Sequence, residues 1–188
     1  MKEVTIGVPD GKKAAWVNDV LTLVDDVVEE QKDDRPVIER IKTVEDALSA
    51  IGTPDEEIAD FFTKFEPMGK DVVAYMKLRV IAEALNEGWK PQFTTDEYRW
   101  FPWFVLYTKE EIDRMDEEER SRVALRSFSY AVAAGGVAYV SANDDSSYSY
   151  TSRGSRLAFK TEELARYAGK QFLDIWADFV FKPKDNQE

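Results

Sequence analysis

Within nine residues, Arg153-Gly154-Ser155-Arg156 followed by Lys160-Thr161 gathers two guanidinium groups, an ammonium and two hydroxyls. Guanidinium groups meet phosphate and carboxylate oxygens through paired, planar hydrogen bonds. A helix opening at Thr161 would add free backbone N–H groups. If residues 156–160 are extended, Arg156, Ala158 and Lys160 share one face while Leu157 and Phe159 point into a core. Arg153, Ser155, Arg156 and Lys160 are therefore the candidate ligand-binding residues, for a small anion or a nucleotide. The plainer alternative is a solvated strand face followed by an ordinary helix cap.

A second constellation is aromatic: Trp89, Phe93, Tyr98, Trp100, Phe101, Trp103, Phe104 and Tyr107. Exposed rings at this density stack on sugars, bases or a partner's side chains. Strand alternation must hide about half of them, so core packing with one partly covered face competes with a binding surface. Trp100, Trp103 and Tyr107 are the candidate partner contacts.

Acidic residues are plentiful but badly placed for chemistry. Glu110, Glu111, Asp113, Asp116, Glu117, Glu118 and Glu119 crowd one helical stretch with arginines interleaved. Glycosidic cleavage needs two acids facing across a cleft, and a metal needs convergent oxygens; a solvated, salt-bridged helix face fits better. Asn143-Asp144-Asp145-Ser146-Ser147 lacks the spaced acids and glycine of a calcium loop. The chain contains no histidine and no cysteine. That excludes Ser-His-Asp and Cys-His nucleophiles, thiolate zinc sites and imidazole-bound metals. No catalytic residue, cofactor or metal site is assigned from the sequence.

The elements that would position these residues follow from periodicity. Residues 3–8 read as a strand, and Lys12 to Gln31 as a helix with Trp16, Val20, Leu23, Val24 and Val27 on one face. Val37–Lys42 reads as a further strand, so a small βαβ-like N-terminal appendage is expected. Short helices should open at Thr43 and at Thr53-Pro54. Asp71 to Glu87 is a helix apolar on most sides, with Arg79, Glu83 and Asn86 as its polar stripe. Tyr98–Tyr107 is an aromatic strand that Pro102 places at an edge or a bulge. A charged helix runs from Thr108 to about Arg122 and buries little beyond Ile112 and Met115. Two strands, 125–133 and 137–142, would join through a hairpin turn at Ala134-Gly135-Gly136. Gly154–Lys160 is a short strand, and Thr161 caps a last helix that buries Leu164, Ala168, Phe172, Ile175, Trp176 and Phe179. The fold class expected is α+β: a small antiparallel sheet from the second half packed on helices from both halves. The expected divisions are an acidic appendage over 1–36, a main domain over 37–182 and a tail over 183–188.

Of the 188 residues, 44% are hydrophobic and 13% aromatic, enough for a sizeable core. The net charge of −12 is uneven. Residues 1–60 carry 7 Lys/Arg against 16 Asp/Glu, residues 61–149 carry 11 against 15, and residues 150–188 carry 7 against 6. Most of this surface would repel a phosphate backbone, so direct nucleic-acid binding is not expected. No apolar run approaches the ~20 residues of a membrane span. The opening Met1-Lys2-Glu3-Val4 lacks a signal-peptide stretch.

Several phrases carry a resemblance: Ala74-Tyr75-Met76-Lys77-Leu78-Arg79, Ala84-Leu85-Asn86-Glu87-Gly88-Trp89-Lys90-Pro91, Phe101-Pro102-Trp103-Phe104, Gly154-Ser155-Arg156-Leu157-Ala158-Phe159-Lys160 and Tyr167-Ala168-Gly169-Lys170-Gln171-Phe172. Together they resemble a family of proteins from bacteriophages, prophages and mobile elements of gut bacteria. The resemblance begins near Ile38-Glu39-Arg40-Ile41-Lys42 and runs to Phe181; the acidic N-terminal piece does not share it, and residues 108–130 depart from it. It implies a shared origin and fold, and no reaction. The leading expectation is an accessory protein that binds another protein in the bacterial cytoplasm, through the acidic N-terminal third and the aromatic strand. The alternative is a small anionic-ligand or nucleotide module, a binding protein or an enzyme, that uses Arg153, Arg156 and Lys160 on an anion. A third reading is an acidic DNA mimic built on residues 1–60. The oligomeric state is left open.

Overall fold

The computed structural model describes residues 7–10, 12–17, 20–25, 33–92, 94–127, 134–146 and 154–180. The chain divides into an N-terminal unit, Met1–Arg35, and a main unit, Pro36–Glu188. Among the described residues there are eight α-helices and two antiparallel sheets, an α+β fold.

The N-terminal unit corrects the expected helix over 12–31 and with it the βαβ-like appendage. Lys12–Val17 (β1) and Val20–Asp25 (β2) form an antiparallel pair in which Val17 faces Val20 and Trp16 faces Leu21. Apolar residues are dense enough here to satisfy a period of 3.6 and a period of 2 alike. Valines and tryptophan lose rotamer freedom in a helix and favour strands, and Asn18-Asp19, between the two strands, are turn-forming types. Of the strand expected over 3–8, residues 3–6 lie outside the described residues, and Gly7 and Val8 are not in a strand.

The main unit opens with helices. Val37–Arg40 (α1) replaces the expected strand: Pro36 fixes the backbone ahead of it, and the Ile41 N–H reaches the Val37 carbonyl at 3.0 Å. Val44–Ala50 (α2) is capped at Thr43 as expected. The Thr43 hydroxyl accepts from the Asp46 N–H at 3.1 Å, and the Asp46 carboxylate accepts from the Thr43 and Lys42 N–H groups, both at 2.8 Å. Burial alone would raise the Asp46 carboxyl, but these N–H donors outweigh it and hold it below its ordinary value. Asp55–Ile58 (α3) starts one residue later than expected, with Pro54 at the cap position and no Thr53 cap. A 3-10 turn, Thr63–Met68, leads into the long helix Lys70–Asn86 (α4). Glu87 in the left-handed region (φ 49°) and Gly88 (φ 82°) end it.

Arg99–Tyr107 (β3), Ala124–Ser127 (β4) and Ala134–Asp145 (β5) form one sheet in the order β3-β5-β4, all antiparallel. β3 is an edge strand and its register with β5 shifts between Trp103 and Phe104, both in keeping with Pro102. The charged stretch is two helices, Lys109–Asp113 (α5) and Glu117–Ser121 (α6), each with its own capping box, at Thr108 and Asp116. The expected hairpin turn at 134–136 is instead the start of β5, with Gly135 opposite Arg126 and Gly136 opposite Leu125. Gly136 serves packing: a Cβ there would collide with Val123 Cγ1 and stand 3.1 Å from Ile112 Cδ1. Of the first expected strand, residues 128–133 lie outside the described residues.

Glu162–Gln171 (α7) and Leu173–Val180 (α8) replace a single last helix, interrupted at Phe172. The Thr161 hydroxyl caps α7 by accepting from the Leu164 N–H at 3.3 Å. Leu164, Ala168, Phe172 and Trp176 are buried, as the periodicity predicts, while Ile175 and Phe179 are partly covered. The core joins this face to Leu78, Ile81 and Leu85 of α4, Leu48 of α2, and Leu157 and Phe159.

Candidate functional site

The stretch expected to hold an anion is not a strand. Gly154 (φ 59°) turns the chain into a 3-10 turn, Ser155–Leu157, and Leu157, Ala158 and Phe159 are all buried. The expected alternation of faces over 156–160 therefore fails. The cause is Asn86, at the end of α4 and 6% exposed. Its amide nitrogen donates to the Ala158 carbonyl at 2.8 Å, and its amide oxygen accepts from the Lys160 N–H at 3.0 Å. Phe159 then pairs with Trp100 of β3, through N–H···O bonds of 2.8 and 3.0 Å.

This folding parts Lys160 from Ser155 and Arg156. Arg153 lies outside the described residues. Lys160 turns to Glu87, with Nζ 3.3 Å from a carboxylate oxygen, and Arg40 reaches the other oxygen at 2.5 Å. Burial would raise the Glu87 carboxyl, yet the hydrogen bonds and charges of Lys160 and Arg40 hold it below its ordinary value. Ser155 and Arg156 go elsewhere. They line a shallow groove of about 180 Å³ with Arg79, Glu83, Asn86, Trp89 and Lys90. Arg79, Trp89 and Lys90 were not among the residues singled out as an anion site. For Arg79 the signal is the polar stripe Arg79-Glu83-Asn86 on an otherwise apolar helix, all of which borders this groove.

The aromatic strand is mostly absorbed by the fold. Trp100 is half-buried and packs against the core, and Phe101 is buried. Phe104 stands 5.3 Å from the Trp176 ring, centroid to centroid. Tyr107 is half-buried. Trp103, at 43% exposed, and Leu106 border a groove of about 440 Å³ closed by Trp176, Phe179 and Val180.

Exposed apolar side chains also cluster on the hairpin. Trp16 is 73% exposed, and Val17, Val20, Leu21 and Leu23 are also exposed. Among the described residues no third strand pairs with β1 or β2. Among the described residues each strand of the hairpin is therefore ladder-bonded along one edge, to the other.

Among the described residues no three acidic side chains come together in a way that would hold a metal ion, and no helix is long and apolar enough to cross a membrane. Compared with known proteins, the chain matches no family profile, no curated protein and no solved structure.

Proposed function

We propose that this is an accessory protein, of phage or mobile-element origin, that works in the bacterial cytoplasm by binding another protein through its N-terminal hairpin. The carrying observation is the exposure of Trp16, Val17, Val20, Leu21 and Leu23 on a two-stranded sheet. An isolated two-stranded hairpin is marginal in water, and clustered exposed apolar side chains mark contact surfaces. An extended segment of a partner added to one edge would lengthen the sheet by a strand and cover the side chains together. Residues 1–35 carry 5 Lys/Arg against 9 Asp/Glu, which favours a basic segment in that place. The origin rests on the resemblance of residues 38–181 to the phage and prophage family.

The test is capture and cross-linking from a gut-bacterial lysate with the full chain and with a Trp16→Ser/Val20→Ser variant. The expected outcome is a saturable partner, cross-linked to residues 12–25, that the variant retains at least ~10-fold less well, as loss of a central aromatic anchor does elsewhere. Equal capture by both proteins, or cross-links confined to the main unit, would refute the reading.

A further inference from the structure

We propose that the groove between the end of α4 and the Ser155–Leu157 turn binds the phosphate group of a small phosphomonoester. Arg79 comes from α4, Lys90 from the segment beyond Gly88, and Arg156 from the turn, and all three residues line one depression. Among the described residues of the main unit, Arg40 and Lys160 pair with Glu87, Lys109 with Asp113, Arg122 with Glu118 and Arg166 with Glu162, while Lys42, Lys64, Lys77 and Lys170 lie over aromatic rings. Arg79, Lys90 and Arg156 form no ion pair with a described residue, although the protein as a whole is strongly acidic. Three positive charges against the single carboxylate of Glu83 leave a local surplus of two. A phosphomonoester carries about that much negative charge at neutral pH, whereas a carboxylate carries half. Two guanidinium groups also suit the oxygen geometry of phosphate better than isolated ammonium groups do.

The size of the groove sets how much of the ligand is held. About 180 Å³ is below the ~300 Å³ at which sites for drug-sized molecules begin. The groove therefore takes the phosphate and the atoms next to it. Trp89, half-buried, is the aromatic residue lining the groove and is the candidate for contact with whatever those atoms belong to. The floor is prearranged, because the buried Asn86 amide fixes the turn that carries Arg156 to the end of α4.

The experiment is a titration of the full chain followed by ¹H–¹⁵N NMR of backbone and indole N–H groups. The probes are phenyl phosphate, inorganic phosphate and benzoate. Phenyl phosphate should move the signals of residues 79–91 and 154–158, including the Trp89 indole. Its Kd should rise at least ~10-fold in Arg79→Ala/Arg156→Ala, as loss of charge-assisted hydrogen bonds requires. Arg156→Lys should fall between, and Lys70→Ala, outside the groove, should bind as the parent does. Inorganic phosphate binding as tightly as phenyl phosphate would assign the ring no role and keep the phosphate site. Benzoate binding as well as phenyl phosphate, no shifts with any probe, or shifts that persist in the double variant would overturn the proposal. Both arginines are exposed, so the variants should keep the parent fold, and the same spectra report whether they do.

Discussion

Asn86 uses both ends of its amide on one segment: it gives a proton to the Ala158 carbonyl and takes one from the Lys160 N–H. No other uncharged side chain of its size does both jobs. Asn86→Asp replaces the donor by a second acceptor, so a carboxylate would face the Ala158 carbonyl inside the protein. The expected loss is about 3 kcal/mol at pH 7, that of a buried, mispaired charged group. The sign of its pH dependence follows. Burial beside a carbonyl raises the folded-state pKa of the new carboxyl above its unfolded value of ~3.9. The unfolded chain then releases the proton first, and the penalty grows as pH rises from that value. Near pH 4 the protonated carboxyl donates to Ala158 and most of the loss disappears. Denaturant melts of parent and variant at pH 4 and pH 7 check this; an equal difference at both would show that the amide contacts are not what holds the turn.

At the level of elements, α7 lies against the sheet because Gly169 has no side chain. A Cβ there would stand 2.5 Å from Tyr139 Cδ2 and 2.7 Å from Pro102 Cβ. Neither neighbour yields easily, one being a ring and the other a proline in a strand. Gly169→Ala should therefore destabilise by about 1–3 kcal/mol through overpacking, although alanine is the better helix former by about 1 kcal/mol. A thermal melt in which the variant equals or exceeds the parent would show that α7 has room to shift. The sequence foretold α7 and α4 well, because one buried face or a nearly all-apolar surface is a periodic signal of its own. Thr43, Thr108 and Thr161 marked helix starts for the same local reason: a cap is decided within four residues. It failed where the deciding contact is distant. The 154–160 strand becomes a turn because Asn86, more than seventy residues earlier, seizes its backbone. The glycines at 135 and 136 look like a turn, but Gly136 is small to admit Val123 and Ile112. The candidate anion site was half legible on this account. Ser155 and Arg156 were visible as a local cluster, while Arg79 and Lys90 join them only in three dimensions.

At the scale of the whole molecule, the two units place different demands on the chain. Every residue of the large core, from Ile41 to Trp176, belongs to the main unit. The partly buried side chains packed on that core, from Val37 to Phe179, belong to it too. The hydrophobic driving force for folding scales with apolar area removed from water, and the hairpin, with Trp16 73% exposed, supplies little of it. Removing residues 1–35 should leave the melting temperature within about 2 °C, less than the shift that 1 kcal/mol gives a domain of this size. The same truncation should abolish partner capture and leave the phenyl phosphate response of the Arg79–Arg156 groove intact. These outcomes separate two kinds of loss. A shortened chain that melts where the parent does but captures nothing has lost a docking element. A fall of 5 °C or more would mean that the hairpin's apolar side chains stabilise the rest of the protein, and they would then not be free to take a partner.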